Sequence, residues 1–539
     1  MKKIIFTALL LGSILSVSAN DVYVSETGND NNDGFSAAAP LATVGKALTL
    51  VDDGGTIHVS GWIYTCLDEA NPLPDGDPNH SGFPIDKTVT VQGTDKATDG
   101  FIGNYIDFST FISSSGRFFT VNNNGVLNLK NLTLKDGVGT NRSGGVFVNG
   151  GMLTAEDVVF DHCQSITTGT DPARGGAIEV EKTPGVFFTR CLFINNEAPK
   201  GGVFYIQDTQ NPNVELRFEA CSFVGNKSSQ GGASCGALFF RLMAENLTIN
   251  ILNCTFSGNI NASTGGVVYI YGAQESNVFN IVNCTIVDNI GQSSSSGSGA
   301  GIHVEAQSSE PRKPKINILN SIVEGNAVNS GLTAEDLVFL YSPTAEKVKI
   351  SNSFIGAIFV RDSNIQGEIP TDCYAGVLPE YWNYMTRTPF NRFEIKSGID
   401  AISADRYVYP LTEGAAALTL GNATFLQDLG VSTDQVGRTR AFAGGKCSAG
   451  AMEGAGLPTG IYSAKLNENL KVYQSGENLL IQSVNSEVIS AELFSISGQK
   501  VAAKTAAGEV NFSVTGLKGV YIAKILVAGE VFTQKMIIK

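Results

Sequence analysis

The sequence is poor in the residues that build most metal and catalytic centres. It has only four histidines, and they do not cluster. It has no Cys-x-x-Cys pair and no histidine group at zinc spacing, so neither a metal nor a cofactor is expected. Lysine and arginine total 37 against 51 acidic residues, a formal charge of −14, and the basic residues form no run. That balance argues against nucleic acid and against anionic membrane surfaces as partners. Beyond the N-terminal segment no stretch is long and apolar enough to cross a bilayer. Charged residues make up 16 % of the chain and methionines number six, while glycines number 60. This is a turn-rich β composition rather than that of a helical enzyme.

What the chain has is a repeat. Aligned on Leu132, Val158, Cys191, Cys221, Cys254, Cys284, Ser321 and Ser353, eight segments carry an apolar residue two positions later, such as Phe160, Phe193, Phe223 and Phe256. Five of them place asparagine five positions later: Asn196, Asn226, Asn259, Asn289 and Asn326. Successive anchors lie 26, 33, 30, 33, 30, 37 and 32 residues apart. Period-two alternation inside a repeat of this length describes one coil of a solenoid. A lone coil has no core, so coils stack, and equal positions form ladders about 4.8 Å apart. The ladders expected here are Cys191, Cys221, Cys254 and Cys284; Phe193, Phe223 and Phe256; and the five asparagines. Asparagine suits the inside of a turn, because its amide can bond its copy one coil up and its backbone tolerates the left-handed region. Gly-Gly before an apolar strand, as at 144–148, 175–178, 201–206 and 265–270, marks a second corner. The expected fold class is all-β: a parallel β-helix solenoid followed by a small C-terminal β-sandwich.

Gly-Gly strands combined with Phe-x-x-Asn turns resemble the repeats of polymorphic outer-membrane proteins and related bacterial surface β-helices, over about residues 126–360. The resemblance implies a right-handed parallel β-helix of the pectin-lyase type. The N-terminus reads as a secretory signal over 1–19: Lys2 and Lys3, a short apolar run, then Val17-Ser18-Ala19. Residues 20–456 are expected to form the β-helix. Asp21 to Tyr64 looks like the opening of many secreted β-helices, with Leu41, Val44, Leu48 and Val51 at helical spacing as an N-terminal cap. Asp30 and Asp33 could serve Ca²⁺, but without EF-hand spacing a solvated turn is favoured. Val436-Gly437-Arg438-Thr439-Arg440 through Glu453 is similar to the closing coil of secreted bacterial β-helix proteins.

A Gly/Pro linker over 457–465 precedes short alternating strands over 466–539, the spacing of a sandwich of about seven strands. Here Leu493-Phe494-Ser495-Ile496-Ser497-Gly498-Gln499-Lys500-Val501, the Gly519-Val520-Tyr521 strand and the terminal Lys535-Met536-Ile537-Ile538-Lys539 resemble the type A C-terminal sorting domain of type IX secretion cargo. Val472 to Gly476 stands where that family usually has Tyr-Pro-Asn-Pro. The resemblance implies the type IX machinery of a Bacteroidetes-type bacterium as partner, and an extracellular or cell-surface location.

Nine cysteines, an odd number, fall partly on the repeat. A buried stack of free thiols is favoured, although neighbouring coils would come within disulfide range. Asp157, Asp161 and His162 with Arg174, Arg190, Arg217 and Arg241 could form a lyase or hydrolase set, but scattered charges are also what a solenoid surface needs for solubility. Tyr381, Trp382 and Tyr384 sit in an aromatic-rich segment suited to stacking on sugars or to capping the coil end. The favoured function is binding or adhesion, with glycans or a host surface as partner and no evident catalytic site. The alternative is a polysaccharide lyase or glycoside hydrolase, which three converging carboxylates beside an Arg or Lys would favour.

Overall fold

The computed structural model describes residues 20–65, 82–94, 111–114, 116–207, 211–241, 244–295, 297–306, 313–328, 333–341, 343–360, 374–375, 383–384, 407–440, 443–455, 470–475, 478–483, 488–495, 500–527 and 530–538. The described residues between 20 and 384 form a β-solenoid of a 20-stranded, an 11-stranded and an 8-stranded sheet, parallel save for the antiparallel edge strand Thr333–Ala334. The 20-stranded sheet bends around one corner. In two coils a single strand makes the bend, Val126–Lys135 and Met152–Asp161. In later coils it splits, as in Glu215–Glu219 and Ser222–Val224. The 8-stranded sheet consists mostly of two-residue strands such as Glu197–Ala198, directly after the ladder asparagines.

The interior is a set of columns. Phe160, Phe193, Phe223 and Phe256 are fully buried, with ring centroids 4.9, 4.9 and 4.4 Å apart and planes within 5°. The anchor column explains why Cys gives way to Ser. Cys254 Sγ lies 3.4 Å from the Phe218 carbonyl and Cys284 Sγ 3.3 Å from that of Ile251. Ser321 Oγ makes the matching bond to Ile281, at 3.2 Å. From Cys191 onward the column therefore takes a small side chain with one donor, after the apolar Leu132 and Val158 of the first two coils. Cys163, Cys191, Cys221, Cys235, Cys254, Cys284 and Cys447 are buried free thiols; Cys66 and Cys373 lie outside the described residues. Burial pushes the Cys191 and Cys254 thiols up, which keeps them neutral.

The asparagine column is a chain of amides. Nδ2 of Asn196, Asn226, Asn259 and Asn289 donates to Oδ1 of the next residue at 3.0, 2.9, 2.9 and 2.7 Å. Each Oδ1 also accepts the backbone N–H of the preceding ladder residue, as Asn259 does from Asn226 at 3.0 Å. Each Nδ2 spends its other proton on a carbonyl, Phe193 O for Asn226. All four hydrogen-bonding positions of an interior amide are thus filled. One end of the chain is Cys163, whose N–H reaches Asn196 Oδ1; the other is Asp336, whose carboxylate accepts from Asn326.

The left-handed backbone falls elsewhere than expected. The ladder asparagines do not adopt it; the residues just before them do: Asn195, Gly225, Gly258, Asp288 and Gly325. A second set precedes the anchors: Asn131, Asp157, Arg190, Ala220, Asn253, Asn283, Asn320 and Asn352, with φ between 50° and 55°. Repeated positive φ at one position turns every coil at the same corner. At the Gly-Gly corners both constraints act: Gly175 and Gly201 take φ of 59° and 68°, and a Cβ on Gly202 would sit 2.3 Å from Gly236 O.

The cap helix is Val44–Leu50, with Thr43 Oγ1 accepting from Lys46 N at 3.1 Å. Asp30 accepts from Ala42 N, Thr43 N and the Thr43 hydroxyl, which pins the helix entry. Asp33 accepts from Phe35 N. Both carboxylates are used within the turn, and no His/Cys/Asp/Glu group that could hold a metal occurs among the described residues.

Residues 407–440 and 443–455 take a different place from a closing coil. They lie along the flank of the solenoid, over the corner marked by the second positive-φ set. Leu426, Val431 and Cys447 cover the outward Leu252, Val282 and Leu319. Tyr409, Leu411, Ala417 and Ala449 cover Val287, Ile322 and Phe354. Four corner asparagines donate to carbonyls of this strap: Asn253 to Thr433, Asn283 to Ser448, Asn320 to Asn422 and Asn352 to Leu420. Arg440 is its keystone. It is 1 % exposed, pairs with Glu453 at 2.9 Å and donates to Asn253 Oδ1 and to strap carbonyls.

The expected end cap around 374–393 is described only at two short strands. Tyr374–Ala375 extends the 20-stranded sheet and Asn383–Tyr384 the 11-stranded one. Among the described residues the C-terminal strands all pair antiparallel, in a 3-stranded and a 4-stranded sheet. Leu479, Ile481 and Phe512 pack with Ile489, Leu493 and Ile525 in one core between the sheets, as in a β-sandwich.

The columns and the strap each give a stability test. Phe223→Ala removes one ring from the stack and should cost about 3–5 kcal/mol by chemical unfolding. Arg440→Ala leaves Glu453 buried without its partner and should cost a similar amount, about 3–5 kcal/mol. Limited proteolysis should then cut first within 407–455; first cuts in the coils would contradict the strap's role.

Candidate functional site

With the bent corner covered, the outer face of the 11-stranded sheet carries a column of unlike side chains. Its strands Val146–Asn149, Ile178–Lys182, Phe204–Gln207, Leu238–Arg241, Val268–Tyr271 and Ile302–Glu305 pair in register. One outward column therefore reads Phe147, Glu179, Tyr205, Phe239, Tyr269, His303. Alternation along a strand forces these side chains out. They are nonetheless buried, because side chains and corner loops lie over them: Cys235 and Ala233 pack on Tyr205, Phe239 and Tyr269.

Arginines form the second layer. Arg142 Cζ sits 4.7 Å over the Phe147 ring, Arg174 Cζ 5.4 Å over Tyr205 and Arg241 Cζ 5.9 Å over Tyr271. Arg142 bridges two carboxylates, Glu179 at 2.7 Å and Glu181. Arg174 lies 4.0 Å from Glu179. Lys200 joins from the next corner, its backbone bridged to that of Arg174. Burial lowers the pKa of the Lys200 ammonium, and the nearby charges of Arg174 and Arg241 add to that shift. Arg174, Lys200 and Arg241 are all half-buried, so water reaches them.

Glu179 is 1 % exposed and its Oε2 makes no hydrogen bond among the described residues. Burial pushes its carboxyl up to about 7, against the pull of Arg142. Further along, the Tyr269 hydroxyl donates to Glu305 at 2.5 Å, and burial with the Glu305 charge raises the phenol. His303 Nδ1 lies 3.0 Å from Ser298 O.

The candidate residues of the sequence separate here. Arg174 and Arg241 meet on this face. Arg190 does not join them: it makes a fork of 2.8 Å bonds to Asp157 and also reaches Glu156, bracing one coil on the next. His162 bonds its neighbour Asp161. Arg217 is held by Glu215 and Glu219 and donates to Leu429 of the strap. Tyr381 and Trp382 lie outside the described residues, as does the side chain of Tyr384. Sequence reading missed Glu179, Tyr205 and Lys200. A signal for Lys200 was present: Arg174 and Lys200 each stand just before a Gly-Gly corner, so both fall at one edge of the same face.

Glu179 gives a pH test. Its folded pKa lies above the ordinary carboxylate value, so folding favours the protonated form. The stability this contributes is full below about pH 4 and is lost as pH rises through about 7. The stability of wild type relative to Glu179→Gln should therefore fall between pH 5 and pH 8, measured by urea unfolding. A difference that is constant with pH would contradict the assignment.

No family model matches the chain, and no curated protein matches it. Among solved structures, a rhamnogalacturonan lyase is similar at a TM-score of 0.31 and 12 % sequence identity, over 71 % of this chain and 91 % of that one.

Proposed function

We propose that the chain is an exported, cell-surface β-helix that binds its ligand on the outer face of the 11-stranded sheet, and that its C-terminal domain directs type IX secretion. The observation that carries the binding reading is the gathering of half-buried Arg174, Lys200 and Arg241: Arg174 lies over the Tyr205 ring and is bridged to Lys200 at the corner, and Arg241 lies over the Tyr271 ring at the end of a strand paired in register. Hydrogen-bonded corners and strands hold such groups in place before a ligand arrives, which lowers the ordering cost of binding. The export reading rests on the residues of the leader and of the C-terminal strands.

A hydrolytic or lyase reading has one observation in its favour, the buried Glu179 carboxyl beside Arg142 and Arg174. Two carboxylates converge there, Glu179 and Glu181, and Arg142 holds both. Three converging carboxylates are not found among the described residues of this face, so binding is the reading adopted.

The test uses purified protein on a panel of acidic and neutral glycans. Binding is expected without new ultraviolet absorbance from double bonds and without new reducing ends. Turnover that Glu179→Gln abolishes would replace the binding reading with the enzymatic one. For export, removing residues 466–539 should leave a folded β-helix in the periplasm of a host with type IX secretion. Normal arrival of that deletion at the surface would overturn the sorting role.

A further inference from the structure

Two features tie the coils together, and both stop at the same place. Inside the solenoid the amide chain begins with Asn196, which bonds back to the coil of Val158 through the Cys163 N–H and the Phe160 carbonyl. One coil earlier the matching position is Gly137, and Cys163 offers it a thiol 3.7 Å from the Leu134 carbonyl in place of an amide. Outside, the strap ties coils in pairs. Gln435 is 1 % exposed; it donates to Ser222 Oγ at 2.7 Å and accepts from the Thr255 hydroxyl. The Tyr409 hydroxyl shares a 2.6 Å bond with Ser257 and donates to Asp288 at 2.8 Å. Thr285 accepts from Ala451 N at 2.9 Å, and Asn320 and Asn352 donate to strap carbonyls. In the other direction the Tyr407 ring packs on Val159 and Leu192. Among the described residues neither an amide-chain bond nor a strap bond crosses into the coil of Leu132.

We infer that the amide chain and the strap weld the coils from Val158 to Ser353 into one cooperative unit, and that the coils before them form a second unit that opens separately and first. A plain solenoid is a one-dimensional array: each coil meets only its neighbours, and its ends fray coil by coil. The strap adds contacts of longer reach. Arg440 Nη2 bonds both Asn253 Oδ1 and the Gly450 carbonyl, and the Gly450 N–H bonds the Asn320 carbonyl two coils on. Freeing one coil of this set therefore disturbs bonds made by the others. The joint between the coils of Leu132 and Val158 is built differently. Backbone pairing crosses it at nine positions, beside an ion pair of Lys135 with Asp161 at 3.3 Å and the pairs of Arg142 with Glu179 and Glu181. These act between neighbours only, so the joint can part without undoing the strap.

The experiment is native-state hydrogen exchange of the full chain, read by mass spectrometry at increasing urea below the unfolding transition. Peptides covering Thr248–Leu252, Val278–Val282 and Lys315–Leu319 should share one protection and one urea dependence. Peptides covering Thr88–Gly93 and Val126–Lys135 should exchange at least about tenfold faster, with the change falling at the joint. Protection that declines evenly from coil to coil would show simple end fraying and overturn the two units, and so would one protection throughout. Two variants test the strap's share. Gln435→Ala cuts the tie between Ser222 and Thr255, and should speed exchange at Glu215–Glu219 about tenfold relative to Val278–Val282. Tyr409→Phe removes only a hydroxyl, so it keeps the test open if Gln435→Ala does not fold. It should loosen Thr255–Ser257 against Thr285–Val287 in the same way. Unchanged exchange in a folded variant would show that the strap does not weld the coils.

Discussion

The amide chain from Asn196 to Asn326 is the constraint on which the rest of the solenoid depends. Backbone pairing alone permits coils to slide by two residues and still bond, because side chains alternate with period two. A buried asparagine removes that freedom. Its Oδ1 must meet both an Nδ2 and a backbone N–H of the coil before it, and its Nδ2 must reach a carbonyl as well. A slipped coil would strand these groups in an apolar interior, at about 1–3 kcal/mol for each unsatisfied group. The Phe and Cys columns add burial but little direction. The amides choose one register among those that burial would accept.

Fixed register turns the outside of the protein into columns too, and each face meets solvent differently. At the bent corner the outward column is Leu252, Val282 and Leu319 beside Asn253, Asn283 and Asn320, and a strap from later in the chain covers it. On the 11-stranded face the outward column changes chemistry from coil to coil, and cations gather over it. One register thus serves both a structural seam and a candidate binding surface.

The ladders were legible because one residue type recurs at one offset. Stacked coils place Cys254, Phe256 and Asn259 each beside its copy in the next coil, and that contact favours the same residue at both levels. The left-handed residues were misplaced by one position, since asparagine can serve either as a turn residue or as a ladder amide; Gly225 and Gly258 before the ladder residues resolve the choice. The strap was not legible as a strap. It has no period, and its Arg440 acts only through partners such as Asn253 and Glu453, which are far apart in sequence. Glu179, Tyr205 and Lys200 were hidden for the opposite reason to the ladders. A site is built from unlike residues in one column, and a search for repetition passes over them.

The most direct test of the amide chain is hydrogen exchange of the side-chain amides in protein labelled with ¹⁵N-asparagine. The Nδ2 protons of Asn226 and Asn259, internal members of the chain, are expected to exchange as slowly as the core backbone amides around them. Exchange at the rate of exposed asparagines such as Asn31 would show that the chain does not form, and that something else fixes the register of the coils.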